Sequence, residues 1–140
     1  MFYNTVVLAL HLALGPRSIL LTGDVERQME PHLTEPADIL KVAHHGSKTS
    51  TTEAFLDAVH PRWAVVSVGF ANLFHHPHAQ VLDRLSDRGI EVWRTDEHGQ
   101  VRMLTNGKSW RIEAFHQSAV PAAPRIQTLL RPADPAASAQ

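Results

Sequence analysis

The stretch ILKVAHHGSKTS, Ile39 to Ser50, constrains this chain more than any other. Its apolar start, Ile39-Leu40 and Val42-Ala43, reads as a buried strand. That strand runs into two adjacent histidines, a glycine and a polar cluster. Ligands of α/β proteins collect beyond the carboxyl ends of strands, so a strand that delivers imidazoles there is building a site. The arrangement recurs. Ile19 to Thr22 ends in Gly23-Asp24, and the apolar run Ala64 to Val68 is followed by His75-His76-Pro77-His78. Strand ends carrying Asp and His lead to the expectation of a metal-dependent enzyme.

Composition narrows the chemistry. There are no cysteines, so disulfides and thiolate metal sites are excluded, and a metal would be held by His and carboxylate. Ten histidines is a high count, and five of them fall in the two windows just named. A formal net charge of -1 gives no whole-surface case for nucleic-acid binding and leaves a local basic patch open. A chain of 140 residues suits one domain with a core. The longest apolar stretch, Val6 to Leu14 with His11 inside it, is too short for a membrane-spanning helix, and the N-terminus lacks the basic segment of a signal peptide. The chain by itself is expected to be soluble.

Periodicity and turn chemistry place the elements. Thr5 to Leu14 and Arg17 to Thr22 read as a hairpin around Gly15-Pro16. Glu26 to Leu33 reads as a short irregular helix and Asp38 to Ala43 as a strand. Ser50-Thr51-Thr52-Glu53 fits a capping box for a helix carrying Phe55, Leu56 and Val59, which ends at His60-Pro61. After the strand at Ala64 to Val68 and a loop, Pro77 suits the first position of a helix with Val81, Leu82 and Leu85 on one face. Strands follow at Ile90 to Arg94 and Gln100 to Leu104, with a polar turn between them. Asn106-Gly107 then turns the chain back through Trp110 to Phe115. The alternation indicates α/β layers with an antiparallel edge at each end. Residues 1–116 are expected to form the domain, and the Ala- and Pro-rich 117–140 a disordered tail.

Each candidate has a plain structural alternative. Asp24 is a metal ligand or a turn aspartate. In a strand, His44 and His45 point to opposite faces, so one enters the site while the other donates a hydrogen bond or packs in the core. Ser47, Lys48, Thr49 and Ser50 hold phosphate or sugar, or form a solvated loop with a helix cap. His75, His76 and His78 precede a helix N-terminus, where an imidazole can protonate a leaving group or meet a phosphate, or they are incidental loop residues. Asp96, Glu97 and His98 read as a solvated turn.

Taken together, LLTGD, ILKVAHHGSKTS, AVVSVG, HPH and EVWRTDEHG, in that order, resemble the C-terminal metallo-β-lactamase-like domain of the ComEC family, the DNA-uptake channel of natural competence. The resemblance covers roughly Asn4 to Phe115. It implies an αββα sandwich with a two-metal hydrolytic site and a nuclease that degrades the strand that is not imported. Residue by residue, it implies that Asp24 bridges two divalent cations, Zn or Mn, and that His44 is a late metal ligand with His45 beside it. His76 and His78 would stand near the scissile phosphate, with Ser47, Lys48 and Thr49 along the backbone of single-stranded DNA. It also implies a parent protein embedded in the bacterial inner membrane.

One feature departs from the family's pattern. Its early His-x-His-x-Asp-His run precedes the segment matching LLTGD and does not occur here, since the only His-x-His, His76-Pro77-His78, is followed by Ala79 and Gln80. The chain is therefore expected to be the C-terminal half of such a sandwich, a fragment or product of a truncated or split gene, binding metal weakly. It is expected to expose an apolar sheet face that drives homo-oligomer formation. The alternatives are an inactive self-associating module and a hydrolase of the same fold with another substrate.

Overall fold

A computed structural model describes residues 7–115 and 125–129. Four parallel strands form its centre: β2 (Arg17–Leu21), β3 (Ile39–Lys41), β4 (Trp63–Val66) and β5 (Glu91–Arg94). β1 (Leu10–Leu14) pairs antiparallel with β2, giving a five-stranded sheet in the order β1-β2-β3-β4-β5. The remaining strands, β6 (Gln100–Thr105), β7 (Trp110–Phe115) and β8 (Arg125–Leu129), form a separate antiparallel sheet. The second antiparallel edge read from the sequence is thus its own sheet. Part of the stretch read as a disordered tail supplies β8, and the rest of that stretch lies outside the described residues.

Strand alternation gives the central sheet two apolar faces. Leu20, Leu40, Val42, Ala64 and Val66 face α1 (Glu53–Val59) and α2 (Ala79–Asp87), which contribute Phe55, Leu56, Val59, Val81 and Leu85. Ile39, Trp63 and Trp93 face the other way and meet Trp110 and Ile112 of β7. Each Val, Leu, Ile or Phe among them, fully buried, contributes about 1.5–3 kcal/mol. Asp38 ties the two sheets together: it accepts from Trp110 Nε1 at 3.1 Å and Ser18 N at 3.0 Å, and pairs with Arg17 at 3.2 Å.

The layering is helices, sheet, sheet, a mixed α/β architecture. The face opposite the helices is covered over Ile39, Trp63 and Trp93, against the expectation of a bare sheet. What stays exposed is narrower: Leu10, Leu12 and Leu14 along the edge strand β1, at 43%, 51% and 56%.

Two helix starts differ from the sequence reading. Thr52, not Ser50, caps α1, its hydroxyl accepting from Phe55 N at 3.3 Å. Ser50 is fully buried and instead donates to the carbonyls of Ala43 and Ser47. α2 begins at Ala79, so Pro77 precedes the helix and His78 occupies the cap position without a side-chain bond. The polar turn after β5 closes into a single helical turn, α3 (Thr95–His98). Among the described residues no helix is long and apolar enough to cross a membrane.

Candidate active site

The carboxyl ends of β2, β3 and β4 bring Asp24, His44, His45 and the 67–78 loop to one edge of the sheet. β3 stops at Lys41, earlier than the apolar run suggests, because Ala43 to Gly46 turn back on themselves. His44 and His45 therefore do not alternate across a strand. Both adopt left-handed backbone, φ 46° and 55°. That conformation costs a non-glycine residue about 1–2 kcal/mol and is concentrated at functional sites. His44 N donates to Gly23 O at 2.9 Å, which fastens this turn to the residue before Asp24.

Both imidazoles are oriented through Nδ1. His44 Nδ1 donates to Glu26 Oε1 at 2.6 Å, and His45 Nδ1 donates to the Ser67 carbonyl at 2.6 Å. Those acceptors place the proton on Nδ1 and leave the Nε2 lone pair to act as a base or a ligand. Metal-binding histidines are commonly held this way by a carboxylate or a carbonyl. Burial pushes the Glu26 carboxyl up, but hydrogen bonds from Thr49 and His44 and the charges of His44 and Arg27 outweigh it, so its pKa lies below the ordinary value.

The third wall is the segment before α2. His76 stands edge-on to His44 with ring centroids 6.0 Å apart. Burial, then the charges of His44, His45 and His78, lower its pKa. His78 N donates to Gly46 O at 2.9 Å, so the two histidine segments are stitched together. Gly46 makes that approach possible. A Cβ there would lie 2.5 Å from Pro77 Cβ, and its φ of +86° is left-handed. Close packing against Pro77 is its role.

The polar cluster divides. Ser47 is buried, and its hydroxyl lies 2.9 Å from that of Thr49, so the two hydroxyls engage each other. Lys48 is exposed. Asp24 is exposed too, and close enough to Lys41 to act on its charge; burial lowers the Lys41 pKa and Asp24 opposes that. Two carboxylates that local spacing did not single out hold the site's frame. Glu26 orients His44. Glu30, 3% exposed, accepts from Thr51 N and from Thr52 N and Oγ1. Asp96 and Glu97 pair with Arg94, and Thr95 Oγ1 donates to Val68 O at 2.7 Å, so this turn is structural.

No three His, Asp or Glu side chains among the described residues are grouped to hold a metal ion. The histidine tautomers suit ligation, but the number of converging donors falls short of the three or four protein ligands of a zinc site.

The chain is similar to competence proteins. ComE operon protein 3 of Bacillus subtilis (strain 168) is 41% identical over 104 residues, 71% of this chain and 13% of that protein. Competence protein ComA of Neisseria gonorrhoeae is 36% identical over 99 residues, 66% of this chain and 14% of that protein. Recombination protein 2 of Haemophilus influenzae (strain ATCC 51907 / DSM 11121 / KW20 / Rd) is 42% identical over 92 residues, 64% of this chain and 12% of that protein. The chain thus spans about an eighth to a seventh of the length of these relatives. No protein-family model matches it.

Proposed function

We propose that this chain serves DNA uptake as one wall of a phosphodiester-hydrolysing site with the chemistry of a metallo-β-lactamase-like domain. The observation that carries it is the pair His44-His45. Two adjacent imidazoles on left-handed backbone each commit Nδ1 to a fixed acceptor, and the turn bearing them is hydrogen-bonded to Gly23 beside Asp24. The similarity to competence proteins supports a role in DNA uptake, and in this reading DNA is the substrate of that pair.

In this reading Asp24 and His44 contribute to a divalent-cation site, Zn or Mn, whose other ligands come from outside the described residues. His45 serves as a base or hydrogen-bond partner through Nε2, with His76 and His78 beside the leaving oxygen. Lys48 meets the DNA backbone, while Ser47 and Thr49 shape its loop. The parent protein is membrane-embedded. The test is cleavage of single-stranded DNA by the complete domain with Zn or Mn supplied. His44→Ala and Asp24→Ala should each lower the rate about 100-fold or more, since loss of an outer-sphere metal partner by itself costs about 10–100-fold. A complete domain carrying Asp24→Ala that cuts at the wild-type rate would exclude Asp24 as a ligand.

A second reading, a non-enzymatic association module, is favoured by Leu10, Leu12 and Leu14. They line one side of an edge strand whose other edge pairs with no described strand. A second copy of this chain, its β1 alongside, is the occupant we propose for that edge.

A further inference from the structure

Phe70, Leu73 and Phe74 are 87%, 90% and 78% exposed, all in the loop between β4 and α2. Single exposed apolar residues are ordinary, but three large ones within five positions form a patch that calls for an occupant. The loop holding them is braced. Asn72 Nδ2 donates to His76 O at 2.6 Å and to Gly69 O at 3.3 Å, and Asn72 Oδ1 accepts from His76 N at 2.9 Å. Ala71 and His75 take left-handed backbone, φ 49° and 54°, which turns the chain sharply on either side of Asn72. The side chains are therefore held outward by a fixed frame.

The patch also adjoins the candidate site. The Phe74 ring lies 6.0 Å from that of His76, tilted 31°, and His76 lies 6.0 Å from His44. An apolar, aromatic surface thus continues into an imidazole cluster, with exposed Lys48 two positions beyond the Gly46–Pro77 contact. A single nucleic-acid strand has this composition in reverse: flat apolar bases beside an anionic backbone. Proteins bind such strands by pairing aromatic stacking with cationic contacts to phosphate.

We infer that Phe70 and Phe74, with Leu73 beside them, form a stacking platform for unpaired bases of a single strand whose phosphate lies at the histidine cluster. This rests on the phosphodiester reading above and adds selectivity to it. In a duplex the base faces are already stacked, so the platform accepts a single strand and rejects paired DNA.

The test is fluorescence anisotropy with the full 140-residue chain and three end-labelled probes of equal length: a single-stranded oligodeoxynucleotide, its duplex, and a strand with abasic sites in place of the bases. The wild type should bind the normal strand most tightly. Phe74→Ala and Phe70→Ala should each weaken it by about tenfold, in keeping with alanine substitution of a stacked base partner. Phe74→Tyr, which keeps the ring, should bind like wild type, and Phe74→Leu, which keeps apolar area without a π-face, like Phe74→Ala. Wild-type binding that is equal for normal and abasic strands and indifferent to these variants would overturn the platform while leaving DNA at the site. Failure of the wild type to bind any strand would overturn both readings. If it then bound neutral phosphatidylcholine vesicles and Phe74→Ala did not, the patch would be a membrane contact.

Discussion

A proton on His76 costs more in the folded chain than in the unfolded one. Burial is the larger cause, and the charges of His44, His45 and His78 add to it. As pH falls below the ordinary imidazole value of about 6.5, the unfolded chain takes up this proton first. The stability contributed by neutral His76 is therefore present above that value and is lost as pH falls towards the lower folded pKa. Glu26 also has a lowered pKa, so its contribution is present above the ordinary carboxylate range and is lost at more acid pH. Ring-proton NMR should place the His76 midpoint below about 6.5, and His44→Ala should move it only part of the way back, because burial persists. A midpoint at or above the ordinary value would contradict this account. Asp24, His44 and His76 stood out as candidates because each follows an apolar run, which local sequence reveals. Glu26 and Glu30 were not, since their partners lie 18 and 21 or 22 positions away. Nor was the backbone at His44 and His45: only glycine advertises a left-handed conformation, and these are not glycines.

At the scale of elements, the histidine turn and the segment before α2 behave as one unit because Gly46 lets Pro77 sit against it. Gly46→Ala should destabilise the chain by about 1–3 kcal/mol, through left-handed strain and displacement of Pro77. Urea denaturation would measure this, and a change within about 0.5 kcal/mol would show that the contact yields freely. The same variant should move His76 away from His44. The helices themselves were legible from Phe55, Leu56 and Val59 and from Val81 and Leu85, which recur at helical spacing and are buried as that spacing implies. Their starts were less so. Ser50, Thr51 and Thr52 are all plausible caps by type, and the choice falls to Thr52 because Glu30 arrives from another part of the chain to anchor its N–H and hydroxyl.

For the molecule as a whole, the apolar alternation of β2 to β5 announced a layered α/β sheet, whereas the second sheet was hidden. Its strands read as further edge strands because strand order depends on long-range pairing, which period and turn signals do not carry. That sheet covers the tryptophan face and shifts the unsatisfied surface to β1. The proposed self-association should therefore run along this edge. Light scattering should find wild type larger than a monomer and Leu10→Lys/Leu12→Lys monomeric, with far-UV circular dichroism unchanged, since both leucines are already exposed. A monomeric wild type, or an unchanged assembly in the double variant, would remove β1 as the contact.

The seam between the sheets has an optical consequence. All three tryptophans of the chain, Trp63, Trp93 and Trp110, are buried in it. Trp63 Nε1 donates to Glu91 and Trp110 Nε1 to Asp38, while Trp93 Nε1 is buried without a partner among the described residues. Tryptophan fluorescence, excited selectively at the red edge, therefore reports on the sheet-to-sheet layer, and circular dichroism at helical wavelengths mainly on the layer of α1 and α2. Coincident transitions by the two probes would mark a single cooperative unit, and separated ones a small sheet that peels away while the histidine edge stays folded.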